Sequence, residues 1–103
     1  MNLKNQTAFA VICESYGNID HKENPFEEMS PKQVFACDSL KQASEYCLNY
    51  IDEFDLGGGN WTGGKVFHPK IGHIANVSYN GKVWKLNGEL FPVQVLENNC
   101  DLF

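Results

Sequence analysis

The sequence predicts an α+β fold, a small antiparallel β-sheet with a single amphipathic helix packed on one face. Three observations predict it: one helical apolar stripe between residues 39 and 56, alternating apolar runs on either side of it, and an Asn-Gly pair between two of those runs. The chain has 103 residues, 43% of them hydrophobic, which suffices for one core and excludes a second full domain. Residues 1–103 are therefore read as a single domain.

The first element is a strand, Thr7 to Glu14. Phe9, Val11 and Cys13 fall on one face and Ala8, Ala10 and Ile12 on the other, so both faces are apolar and the strand is central or covered. From 17 to 33 the pattern breaks into Gly17, Asn18, Asp20, Asn24, Pro25 and Pro31, a long polar loop. Within it Asn24-Pro25-Phe26-Glu27 has the cap, proline and early acid of one helical turn. Val34 to Cys37 follows as a short second strand.

The helix runs from about Ser39 to Leu56, with Leu40, Ala43, Cys47, Tyr50, Ile51 and Phe54 on one stripe. Ser39-Leu40-Lys41-Gln42 is a capping box, in which serine accepts from an early amide and Gln42 reaches back to the cap. Gly57 is the expected stop, because glycine adopts the left-handed conformation that closes a helix.

After Gly57-Gly58-Gly59 the chain reads as a β-meander: Val66 and Phe67, then Ile74 to Tyr79, then Lys82 to Leu86. A type I′ turn at Asn80-Gly81 sets Tyr79 opposite Lys82, Val77 opposite Trp84 and Ala75 opposite Leu86, all on the face that packs against the helix. Asn87-Gly88 starts a further edge strand, Leu90 to Leu96, interrupted by Pro92. Residues 98–103 are expected to fray.

Composition narrows the function classes. All eight basic residues are lysine and the net charge is −5, so the chain lacks the guanidinium forks of nucleic-acid readers, and no direct nucleic-acid partner is expected. Cysteines at 13, 37, 47 and 100 form no C-x-x-C pair. Cys13 and Cys47 lie on apolar faces and are expected in the core as reduced thiols. The polar start is no secretory signal and no run is long enough to span a bilayer, so a cytoplasmic, non-membrane protein is expected.

No motif assigns catalytic residues, a metal or a cofactor, and the chain is read as a non-enzyme. Gly59 to Lys65 satisfies G-x-x-x-x-G-K by letter, but Val66 stands where magnesium needs a hydroxyl, and the glycines follow a helix when they should lead into one. The loop is read as a sharp connection. Trp61 at its tip either plugs the core or anchors an interface, burial being the commoner fate of so large an aromatic. His68 and His73 flank a turn without a third ligand, and a pair of Cys37 with either histidine rests on no local signature.

Charge layout is more informative. Residues 1–55 hold ten acids and four lysines, net −6, whereas residues 56–103 are net +1. Asp52, Glu53 and Asp55 occupy the last helical turn, where the helix dipole makes each unfavourable by about 0.3–1 kcal/mol. Local stability does not explain them. A solvated face is the ordinary outcome of such a run, and an acidic docking surface for a basic partner is the functional one. Phe26 and Met29, among Glu27 and Glu28, supply apolar anchors. The candidate partner-binding set is Asp52, Glu53, Asp55, Trp61, Phe26, Glu27, Glu28 and Met29.

Gly-Asn-Trp-Thr-Gly-Gly (59–64) after an amphipathic helix, followed by Ser-Tyr-Asn-Gly-Lys-Val-Trp (78–84), resembles small phage- and prophage-encoded proteins over residues 34–86. The order strand, helix, meander is similar to that of several small anti-CRISPR proteins. This resemblance implies a stoichiometric inhibitor in the bacterial host cytoplasm that covers a working surface of a bacterial defence protein or nucleoprotein complex. Two further readings stay open: an immunity or antitoxin-like protein that neutralises a basic nuclease, and a small-ligand sponge or minimal enzyme around the Gly-rich loop, Trp61 and the two histidines. A homodimer through the Leu90 to Leu96 edge is also open.

Overall fold

The computed structural model describes residues 9–92 and 95–96. The elements are β1 (Phe9–Tyr16), a short 3-10 helix (Ile19–His21), β2 (Glu28–Cys37), α1 (Leu40–Glu53), β3 (Gly64–His68), β4 (Gly72–Val77) and β5 (Val83–Lys85). The strands form one antiparallel sheet in the order β2-β1-β3-β4-β5, and α1 packs across one face of it. This is the expected α+β architecture.

The core lies between that face and the helix. Phe9, Val11 and Cys13 of β1, Val66 of β3, Ala75 and Val77 of β4 and Val83 of β5 meet Leu40, Ala43, Cys47, Tyr50 and Ile51 of α1, all buried. Each large apolar side chain removed from water in this way contributes about 1.5–3 kcal/mol. The periodic stripe is therefore the buried stripe, with Phe54 half-buried against Tyr50. Gly64 lets β3 approach α1 closely: a Cβ there would stand 2.4 Å from the Cys47 Sγ.

The helix begins as its capping box predicts, with Ser39 Oγ accepting from the Gln42 amide at 3.0 Å. Gln42 Oε1 accepts from the Asp38 amide at 2.7 Å, one residue before the cap. The stop differs from expectation. Asp55 N–H bonds the Asp52 carbonyl and Leu56 N–H the Ile51 carbonyl, a closure that needs a left-handed residue at 55. Asp55 takes that conformation, at φ 50°, and Gly57 does not.

Three other expectations are corrected. β2 is longer than Val34 to Cys37, so the polar loop shortens from 17–33 to 17–27. Local pattern does not mark its first half because it is the sheet edge: alternate residues face water, and Pro31 sits where Pro31 and Lys32 bulge opposite Glu14. Asn24 to Glu27 forms a single turn closed by the Glu27 amide on the Asn24 carbonyl, and the helical turn lies earlier, at Ile19–His21.

The third correction is the hairpin register. Ser78 N–H bonds the Lys82 carbonyl and Gly81 N–H the Ser78 carbonyl, and of Asn80 and Gly81 only Gly81 takes positive φ. The connection is a three-residue loop closed by a left-handed glycine, not a two-residue type I′ turn. Val77 therefore faces Val83, Asn76 faces Trp84 and Ala75 faces Lys85. This slip moves Trp84 off the helix side of the sheet. The same bonding recurs at Asn87-Gly88, after which the expected strand reduces to one bridge between Leu90 and Trp84. The edge through which a homodimer was expected is thus no strand among the described residues. Residues 98–103 and Cys100 lie outside the described residues, as do Thr7 and Ala8 of the expected first strand.

Candidate functional site

The end of the sheet where β1 runs into the loop gathers three separate stretches of sequence. Tyr16 N–H donates to the Asn60 carbonyl, and Asn60 Nδ2 donates to the Tyr16 carbonyl at 2.9 Å and to Glu23 Oε1 at 3.0 Å. Glu23 Oε1 also accepts the Asn18 amide at 2.8 Å. The 17–27 loop is thereby tied to the Gly57–Asn60 turn that follows the helix. Contact is close: a Cβ on Gly59 would stand 2.0 Å from the Asn18 amide group, and one on Gly17 would stand 2.0 Å from the Asn24 carbonyl. The Asn18 amide and then Asn60 hold the Glu23 carboxyl below its ordinary range.

A buried hydroxyl chain fixes the helix to the same end. Ser15 and Ser30 hydroxyls lie 2.5 Å apart across β1 and β2, Ser30 lies 2.5 Å from the Tyr50 hydroxyl, and Tyr50 donates to the Pro31 carbonyl at 2.7 Å. Each of these three hydroxyls has a partner, which burial requires. The last turn of α1 is therefore held beside the beginning of β2.

These two sets of ties bring the candidate residues to one end of the molecule. Asp52, Glu53 and Asp55 are exposed at the end of α1, and Glu27 and Glu28 are exposed at the start of β2. None of the five is in an ion pair among the described residues. Phe26 is 89% exposed and Met29 43%, two apolar side chains flanking Glu27 and Glu28 in sequence. Trp61 departs from the set. It is buried, its indole N–H donates to the Val77 carbonyl at 3.0 Å, and its ring lies 6.0 Å from that of Tyr50. It plugs this end of the core and is not a contact residue.

Asp55 is the most informative member. A left-handed backbone costs most non-glycine residues about 1 kcal/mol and aspartate less, and a carboxylate at a helix C-terminus adds about 0.3–1 kcal/mol.

The other constellations do not assemble. His68 Nδ1 accepts the Lys70 amide and its ring meets Phe9 on the helix side, whereas His73 stands beside Phe67 and Asn76 on the opposite face. Phe9, the cross-strand partner of Cys37, stands between that thiol and His68. Burial pushes the Cys37 thiol up to about 11, and its hydrogen bond with Cys13 and burial raise Cys47, whose sulfur lies 3.8 Å from that of Cys13. Both of the thiols expected in the core are buried there. Among the described residues no group of three or more His, Cys, Asp or Glu is placed to hold a metal, and no helix is long and apolar enough to cross a membrane.

Comparison with protein-family models, with curated proteins and with solved structures returned no match.

Proposed function

We propose that this chain is an inhibitory binding protein of the anti-CRISPR kind, carried by a phage. Its acidic end docks on a Lys/Arg-rich surface through which a bacterial defence protein or nucleoprotein complex holds nucleic acid. The single observation that carries this reading is Asp55, an exposed acid kept at a position where charge and backbone both disfavour it, beside Asp52 and Glu53. Local stability does not call for a carboxylate there. Phe26 and Met29 give the patch the apolar anchors that charge alone lacks, since charge steers encounter while buried aromatics hold the complex.

The test is phage plating on a panel of bacteria, each with one active CRISPR-Cas system and each expressing the chain. The reading predicts restored plating in at least one host. It predicts loss of that rescue on combining Asp52→Lys, Glu53→Lys and Asp55→Lys, with the variant still folded. Unrestored plating throughout the panel, or full rescue by the charge-reversed variant, contradicts it.

A further inference from the structure

The sheet face opposite the helix carries a row of side chains that crosses all five strands. Cross-strand pairing aligns Val34, Ile12, Lys65, Asn76 and Trp84. At the β3-β4-β5 side this face carries an open groove of about 540 Å³. Its lining includes Thr62, Lys65, His73, Asn76, Trp84 and Lys85, and no acidic residue.

In a chain of net charge −5, a cleft with two lysines and no carboxylate is a local inversion of charge. Neither lysine is in an ion pair among the described residues. Lys65 is exposed, and Lys85 sits 5.8 Å from the centre of the Phe91 ring. Trp84 is held in place, because its indole N–H donates to Ser78 Oγ at 3.0 Å, and the residue is partly buried on this face. His73 Nε2 contacts two acceptors, the Ala75 carbonyl at 3.0 Å and Asn76 Oδ1 at 2.9 Å, so that nitrogen carries the proton and donates. This fixes the Asn76 amide with its oxygen occupied and leaves its Nδ2 donors without a protein acceptor among the described residues. The cleft therefore combines an oriented aromatic face, a fixed amide donor and a cation.

We propose that this cleft binds a free nucleotide, its base against Trp84 and its phosphate on Lys65. Base stacking and charge-assisted hydrogen bonding are the two interactions the lining offers. A free nucleotide fits better than a strand. Lys32, in the β2 bulge, lies 3.9 Å from Glu14, and the overall charge repels a polyanion.

The experiment is calorimetric titration of the intact chain, with the tryptophan fluorescence followed in parallel, using the four nucleoside monophosphates, adenosine, inorganic phosphate and a short single-stranded oligonucleotide. At least one monophosphate binds, more tightly than adenosine or phosphate alone and more tightly per site than the oligonucleotide. Lys65→Ala, an exposed substitution, weakens the monophosphate about tenfold and leaves adenosine unchanged, a change of about 1.4 kcal/mol. Trp84→Leu, checked for folding by thermal melt, weakens both. The proposal is overturned by absence of binding to every monophosphate, by tighter binding of the oligonucleotide, or by affinity that survives Lys65→Ala.

Discussion

The acidic end and the cleft are built in opposite ways. The acidic end is made of side chains the fold does not need: exposed carboxylates at the close of a helix, one of them in a left-handed conformation, on loops that other residues hold together. The cleft is made by the fold itself, since Lys65, Asn76 and Trp84 are aligned by strand register and Trp84 is turned outward by a three-residue loop. A surface of the first kind can change without unfolding the protein. One of the second kind cannot be moved without moving the sheet.

The largest effect is expected where both regions share support. Gly64→Ala places a Cβ 2.4 Å from Cys47 Sγ and 3.3 Å from both Trp61 and Val77, with buried groups on every side. It should lower stability by about 2–3 kcal/mol in urea denaturation and disturb both surfaces together. Asp55→Gly separates them. It relieves the backbone and removes a carboxylate from the helix end, so the midpoint of urea denaturation should rise by the equivalent of about 1 kcal/mol while partner binding weakens and the cleft is unaffected. The smallest effect is local. Glu23 is held below its ordinary value of 4.5, so it stabilises the docked loop above that pH and ceases to do so as pH falls through its folded value. The protection factor of the Asn18 amide against hydrogen exchange should fall on acidification, and Glu23→Gln should remove that pH dependence.

The parts legible in the sequence were those fixed by local pattern. The stripe from Leu40 to Ile51 and the Ser39 cap identified the helix because spacing and capping chemistry act within a few residues. The alternation of Phe9, Val11 and Cys13 identified the central strand for the same reason. β2 was missed over Glu28 to Gln33 because an edge strand has no need of apolar residues on both faces. The hairpin register was missed because Asn-Gly serves both a two-residue loop and the last two places of a three-residue one, and only the second leaves Asn80 outside positive φ.

The site divides along the same line. The acids were visible as a charge excess in residues 1–55, and Phe26 and Met29 are exposed. That the two acidic stretches share one end depends on Asn60 meeting Glu23 across 37 positions and on Tyr50 meeting Pro31 across 19, which no local pattern encodes. Trp61 was assigned to the contact set and belongs to the core, its polar edge satisfied by the Val77 carbonyl. The cleft was invisible for the reason that it exists: with the register of a two-residue turn, Trp84 packs under the helix.

The central claim, that the acidic end and not the cleft carries the protein partner, is tested most directly by quantitative capture. Tagged wild-type chain, the variant combining Asp52→Lys, Glu53→Lys and Asp55→Lys, and Lys65→Ala are used as baits in parallel on lysates of the host whose phage plating the chain restores. Recovered proteins are quantified at low and moderate salt. A salt-sensitive, basic nucleic-acid-binding protein recovered by wild type and by Lys65→Ala but lost with the charge-reversed bait is the predicted result. Equal recovery by the charge-reversed bait, or loss confined to Lys65→Ala, contradicts the account.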